Sequence, residues 1–443
     1  MSDSHGNVGQ ALERFARHSP RTASTLEAAR AVRSGDTIVI GGVCAEPQAF
    51  LAALVSRAQE LEDVTIVHQR VLGPMIYVQP EMRSHFVHKA VFLGPAAREA
   101  VESGRAEFVP VNLSDVDEEL ISGQLRPDVT VLQCTPPDTA GLCNLGAYVG
   151  FLHSALDARV VVAECNDQVP FTFGETRIRV DAFDLITHTS YPLYTLPRAD
   201  SFGEIESAIA AHVAPLIRDG ATLQVGHGAM PDAILGRLTD RNDLGIHSEL
   251  LTDSMIDLMR LGVVTNSAKT VNRGTSVASF LNGTANMFRF VNRNPSVELH
   301  RSSYVNSPRV IGQNQRVVAI NSAIEIDLLG QINAESFGSR VFSGSGGQLD
   351  FANGARLSRE GRYVVALPAT AKGGTVSRIV PTLSVGATVT VPRTLADVVA
   401  TEHGIAELRG RTVRERAQAL IAIAAPQFRN DIRAAALRLR ILH

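Results

Sequence analysis

The chain has 443 residues, no tryptophan and four cysteines, and aromatic side chains make up only 5% of it. Cys44, Cys134, Cys143 and Cys165 show no C-x-x-C spacing. Their pattern therefore indicates neither a disulfide framework nor a zinc site, and no residue is assigned to a metal. An excess of one charge is also missing, with 42 Lys+Arg against 45 Asp+Glu and a formal net charge of -3. A chain built mainly to hold nucleic acid is usually basic, so no nucleic acid is expected as a partner. No apolar run approaches the ~20 residues of a membrane span, and Gly, Pro or His interrupts the long uncharged stretches. The polar stretch Met1–Pro20 lacks the apolar core of a signal peptide. The expectation is a cytoplasmic protein without membrane attachment. With 45% hydrophobic and 20% charged residues the composition is that of an ordinary folded protein, long enough for two or three domains.

Short apolar β-rich runs alternate with amphipathic helical stretches, which is an α/β pattern. Strands are expected at Thr37–Gly41, Val64–His68, Ala90–Leu93, Phe108–Val111, Val129–Gln133 and Val160–Glu164. Most are apolar throughout, as in a parallel sheet covered on both faces. Helices are expected at Thr25–Arg33, at Pro47–Glu60, with Pro47 at the first helical position, and at Val413–Ala425. The sequence also echoes itself. GDTIVIGGVCAEPQAFLAAL from Gly35 and GATLQVGHGAMPDAILGRL from Gly220 each read as a helix end, a buried strand, a Gly-rich turn and a Pro-started helix. Any two strand–turn–helix units share some of this. The favoured reading is two related open α/β domains in tandem with mainly parallel sheets, 1–195 and 200–443, joined near Leu193–Gly203.

Three places could carry chemistry. The turn Gly226, His227, Gly228, Ala229 and Met230 follows a strand and opens a helix, where glycines admit a ligand closely and N–H groups favour phosphate. It lacks the full G-x-G-x-x-G and the ribose-binding acid expected for a nicotinamide cofactor, and it lacks a Walker lysine; a turn without a ligand is the plain alternative. A second Gly-rich turn, SGSGGQLD, contains Ser343, Gly346 and Gly347, whose N–H groups could converge on an oxyanion, or which could be a surface turn. Glu249, in LGIHSELLTDS, stands at the tip of a predicted strand (Leu244–His247), with Asp253 placed to cap the next helix. A carboxylate there faces the ligand side of an open sheet and can act as a nucleophile, although an arbitrary Glu is far more often solvated. In TEHGIAELR, Glu402, His403, Glu407 and Arg409 lack H-E-x-x-H spacing and read as an ion-pair cluster.

Eight ordered runs together resemble the acetyl-CoA hydrolase/transferase family of the 4-hydroxybutyrate and acetate CoA-transferase kind. They are GLCNLG, VGHGAMPDAI, LGIHSEL, GQINAESFG, SGSGGQLDFANGA, SRIVP, TEHGIAELRGRTVRERAQALI and PQFR, spread over nearly the whole chain. The resemblance implies paired open α/β domains and movement of coenzyme A from an acyl thioester to a free carboxylate through a covalent glutamyl-CoA thioester. It implies Glu249 as the nucleophile, with the Gly226–Met230 and Ser343–Gly347 turns against the coenzyme A. No cofactor is expected to be bound permanently, coenzyme A being substrate and transient adduct. The expected partners are acyl-CoA and small carboxylic acids, and the expected assembly is a homo-oligomer. Phe171, in ECNDQVPFTFG, stands where the family commonly has Arg, so a dicarboxylate acceptor such as itaconate or succinate is one reading of the specificity. An acyl-CoA hydrolase and a non-catalytic CoA-binding protein are the alternatives.

Overall fold

The computed structural model describes residues 19–198 and 201–443. All but the last two residues of Met1–Pro20 lie outside them, as does part of the Leu193–Gly203 junction. The chain folds as two compact units. One gathers Asp115–Leu196 with the preceding N-terminal stretch and Ser279–Ser303; the other gathers Pro197–Ala278 and Tyr304–His443 with the short segment Val111–Ser114.

The first unit is built on an eight-stranded sheet. In chain order its strands are β1 (Arg21–Thr22), β2 (Thr37–Ile40), β3 (Val64–His68), β4 (Phe86–Ala90), β5 (Ala106–Phe108), β6 (Val129–Cys134), β7 (Val160–Asn166) and β8 (Leu185–Thr189). They lie in the order β1-β8-β7-β6-β2-β3-β4-β5, all parallel. The second unit has a six-stranded sheet made of β9 (Thr222–Val225), β10 (Gly245–Ile246), β11 (Val317–Asn321), β12 (Arg362–Ala366), β13 (Val398–Thr401) and β14 (Gly404–Glu407). Its order is β10-β9-β11-β12-β13-β14, and only the final hairpin is antiparallel. The central strands are buried along their length, as in TLQV of β9 and VTVLQC of β6, because helices cover both faces of such sheets.

The internal echo survives as topology. β2 lies between β3 and β6 just as β9 lies between β10 and β11, so each sheet reverses its winding beside the strand that carries the repeated sequence. Gly35 and Gly220 enter those strands with φ of +81° and +71°, a conformation costly for residues with a Cβ. Gly41 and Gly226 leave them, each donating its N–H across the switch point, to Val131 O and Ile320 O, both at 3.1 Å. Ligands of open α/β sheets bind beyond the carboxyl ends of the strands at such a switch.

Local boundaries differ from expectation where tertiary context overrides the apolar pattern. The fourth strand is Phe86–Ala90 rather than Ala90–Leu93. His88 breaks its apolar reading, yet it is fully buried and bonded through Nδ1 to Ile66 O. The fifth ends at Phe108, and Val111, past the donorless Pro110, belongs to the other unit. Pro47 is the N-cap of Gln48–Ser56 rather than its first residue, and a separate turn of 3-10 helix covers Ala58–Glu60. The helix from Thr25 stops at Ala29. Val413–Ile423 starts on a Thr412–Glu415 capping box and ends two residues earlier than expected. Asp253 is the first residue of its helix, behind Thr252 as N-cap.

Candidate active site

The second unit's sheet sets the site. β10 is only two residues long, but its continuation stays pinned to β9, with His247 N–H donating to Leu223 O at 3.0 Å and Ser248 Oγ to Val225 O at 3.4 Å. On its other side Ser248 N–H donates to Val277 O at 3.0 Å. His247 is buried, and its Nε2 lies 2.8 Å from Val305 O. This anchoring delivers the next residue, Glu249, half-buried at the carboxyl rim of the sheet.

Glu249 Oε2 accepts a hydrogen bond of 3.0 Å from the N–H of Gly347. Gly347 is the N-cap of Gln348–Leu357, a helix of ten residues, so the carboxylate faces the positive end of a helix dipole. That placement is worth about 0.3–1 kcal/mol to an anion. The bond itself, to an ionised acceptor, adds about 1.5–3 kcal/mol. Close approach depends on glycine: a Cβ at Gly347 would stand 2.6 Å from Glu249 Oε2 and 2.1 Å from Asn306 Nδ2. Gly346, at φ +54°, turns the chain into that position.

The turn is braced from a segment that carried no signal in the sequence. Within Val111–Ser114, Leu113 N–H donates to Gly346 O at 3.2 Å, Val111 O accepts from Ser345 Oγ at 3.2 Å, and Ser114 Oγ donates to Asp350 Oδ1 at 2.8 Å. Gln348, just inside the helix, donates to Tyr363 Oη at 2.8 Å and Ser322 O at 3.1 Å. Of the expected residues of this turn, Gly347 touches Glu249 and Gly346 shapes the approach. Ser343 is engaged elsewhere, its N–H donating to Glu335 O at 3.0 Å.

The Gly226–Met230 turn begins where β9 ends, one residue from the Val225 carbonyl that Ser248 engages. Gly228 is the N-cap of Ala229–Gly236 with φ +131°, a conformation that favours glycine. A Cβ at Gly226 would meet only Ile320 O, at 3.9 Å, whereas one at Gly41 in the first unit would stand 2.7 Å from Ala45 O. The first copy of the turn is closed by Ala45 O, and no such contact closes on Gly226 in the second. His227 and Ala229 are exposed there, while Met230 is buried in the packing of its helix.

Asn306 is the residue that sequence reasoning missed. It is fully buried beside Gly347, and both its Oδ1 and Nδ2 lack a hydrogen-bond partner among the described residues. Such a group is rare in a folded interior and costs about 1–3 kcal/mol. An amide kept unpaired next to a carboxylate is suited to a partner that arrives with substrate. Its sequence context, SSYVNSP, gives no spacing that would single it out.

The other expected features fall outside this constellation. Glu402 accepts from Ala369 N–H at 2.8 Å, and Arg362 and Arg409 pair with Asp397 at 3.2 and 3.1 Å, so TEHGIAELR is part of an ion-pair network on the β13–β14 hairpin. Phe171, in the first unit, is flanked by the guanidinium groups of Arg293 and Arg177, 5.0 and 5.6 Å from its ring centroid.

Two family models match the chain: the acetyl-CoA hydrolase/transferase N-terminal domain over residues 10–191 and the C-terminal domain of the same family over residues 283–436. The 4-hydroxybutyrate coenzyme A transferase of Clostridium kluyveri is 41% identical over 90% of the chain and 94% of its own length. The succinyl-CoA:cyclohexane-1-carboxylate CoA transferase of Geobacter metallireducens is 40% identical over 95% of each. Among solved structures, RipA from Yersinia pestis superposes with a TM-score of 0.89 at 33% identity, covering 95% of this chain and 98% of that one.

Proposed function

The chain belongs to the acetyl-CoA hydrolase/transferase family and is a CoA-transferase, and from that premise we propose that it works by a ping-pong reaction through a thioester between coenzyme A and Glu249. The observation that carries this reading is the bond from Gly347 N–H to Glu249 Oε2. It holds Oε2 in the grip of a backbone donor at a helix head. In this mechanism Oε1 attacks the acyl-CoA carbonyl, the tetrahedral intermediate collapses, and CoA thiolate leaves a mixed anhydride. The thiolate then attacks the glutamyl carbon, Oε2 becomes the oxyanion held by Gly347 N–H, and the donor acid departs. An incoming carboxylate reverses the two steps, carrying the CoA away and restoring Glu249.

A carboxylate is a weak nucleophile, but a thioester is an activated acyl donor. Holding the two in near-attack geometry can supply about 7–11 kcal/mol of the barrier. Each backbone donor to a developing oxyanion is worth roughly 10²–10³ in rate. Gly347 N–H serves the oxyanion on the glutamyl carbon. The turn at Gly226–Ala229 is assigned the acyl oxyanion and part of the CoA, with Asn306 pairing its amide to substrate once bound. The second half, 200–443, is thus proposed as the domain that carries the chemistry.

For the carboxylates, kinship with transferases named for 4-hydroxybutyrate and succinyl-CoA supports short-chain mono- and dicarboxylic acids. The test is initial-rate kinetics with one acyl-CoA donor and a panel of acceptors comprising acetate, succinate, itaconate and 4-hydroxybutyrate. Parallel double-reciprocal lines, donor-acid exchange without acceptor, and loss of turnover in Glu249→Ala are expected. Steady release of free acid and CoA without acceptor would instead identify a hydrolase.

A further inference from the structure

Cys134, Cys143 and Cys165 are separated in sequence by stretches without any metal-binding rhythm, yet the first unit brings them together. They come from the end of β6, from the short strand Leu142–Asn144 and from β7. Cys134 and Cys165 are direct partners in the parallel register. All three are buried and free of disulfides, and their Sγ atoms lie within 4.8 Å of one another, the Cys134–Cys165 pair at 3.8 Å. The family reaction described above uses none of them.

The spacing has a chemical meaning. Zinc–thiolate bonds of about 2.3 Å in tetrahedral geometry put the sulfurs about 3.8 Å apart, the separation already present between Cys134 and Cys165. Three thiolates on one side of a site also leave a fourth position open, as in zinc sites completed by water. A cavity of about 430 Å³ in the same unit is lined among others by Thr135, Leu142, Asp167 and Arg177, though by none of the three cysteines. Each cysteine is one or two residues from one of these: Cys134 from Thr135, Cys143 from Leu142, Cys165 from Asp167. Soft thiolate sets select thiophilic ions over the harder cations.

We propose that Cys134, Cys143 and Cys165 form a binding site for one thiophilic d10 cation, Zn²⁺ foremost, with its fourth position completed by water. On binding, each thiol gives its proton to solvent as its sulfur–metal bond forms, and no electrons change hands. The two-electron alternative, a Cys134–Cys165 disulfide, would need an external oxidant and would remove two of the three ligands.

The test uses the full-length, reduced protein, titrated separately with Zn²⁺ and Cd²⁺. Bound metal is counted by elemental analysis after gel filtration, and the thiolate-to-cadmium charge-transfer absorption is followed in the ultraviolet. One metal per chain is expected in the wild type and in Cys44→Ala. Cys143→Ala should weaken binding by at least about 100-fold, since even an outer-shell ligand partner is worth 10–100-fold. The triple variant Cys134→Ala/Cys143→Ala/Cys165→Ala should bind none. Retained circular dichroism and CoA transfer in the alanine variants show that they fold; if the triple variant does not, Cys143→Ala alone decides. No uptake by the folded wild type, uptake that survives loss of these cysteines, or recovery of a Cys134–Cys165 disulfide from the reduced protein in place of uptake would overturn the proposal. None of these outcomes bears on Glu249.

Discussion

Gly347 has a φ of -95°, open to any residue, so its backbone does not demand glycine; its surroundings do. A methyl there would lie 2.1 Å from Asn306 Nδ2 and 2.6 Å from Glu249 Oε2, well inside contact distance. Gly347→Ala should therefore cost about 1–3 kcal/mol of stability, as overpacking does. It should also lower kcat for CoA transfer by about 10²-fold or more, because displacing a reacting group by about 1 Å has that effect. Thermal unfolding and steady-state kinetics check the two parts; an alanine variant with wild-type kcat would mean that the closeness of this turn to Glu249 is irrelevant to turnover. Glu249 itself was legible only through a motif of resemblance, since a lone Glu at a strand tip carries no signal in its own composition. Asn306 was not legible at all. What distinguishes it is that both of its amide atoms lack a partner beside Gly347, a property that only the folded interior creates.

Among the elements, the mostly apolar and buried strands, such as β2, β3, β6 and β7, could be read from the sequence to within a residue or two. The reason is physical: helices on both faces remove the alternation that would otherwise be required. β4 was displaced because its inward His88 looks polar in sequence, while burial pushes its pKa down to about 4 and keeps the ring neutral. A comparable buried polar group sits where β2 leads into the Gln48–Ser56 helix. Burial raises the Glu46 carboxyl from its ordinary 4.5 to about 7, the neighbouring charge of Glu164 pushing the same way and the Gly73 N–H, donating at 2.9 Å, opposing. A folded-state pKa above the unfolded one means the folded protein holds this proton more tightly. The stability so contributed is complete below about pH 4.5 and is lost as pH rises through 7. Glu46→Gln, which can still accept from Gly73, removes that titration. The variant's unfolding midpoint should rise relative to the wild type between pH 4.5 and 7; midpoints that keep a constant offset over this range would show that Glu46 titrates alike in the folded and unfolded states.

At the scale of the whole chain, the two sheets share a strand order around the strand of the repeated sequence, which is the physical content of the echo between Gly35 and Gly220. The copies have diverged at the rim. After β3 the first unit places Gln69, Arg70 and Val71, whereas after β10 the second places His247, Ser248 and Glu249; the turn after β2 is closed by Ala45 O, and no such contact closes on Gly226 after β9. Tandem organisation was readable from the echo, but the exchange of Val111–Ser114 and Ser279–Ser303 between units was not, because it depends on packing between segments far apart in sequence. The account rests on one half supplying a nucleophile that becomes covalently loaded. The most direct test is peptide mass spectrometry of enzyme incubated with acyl-CoA in the absence of acceptor and quenched in acid. The peptide spanning Glu249 should carry the mass of CoA joined with loss of water, and hydroxylamine or added carboxylate should discharge it. An enzyme that turns over while that peptide stays unmodified at every time sampled would contradict the mechanism.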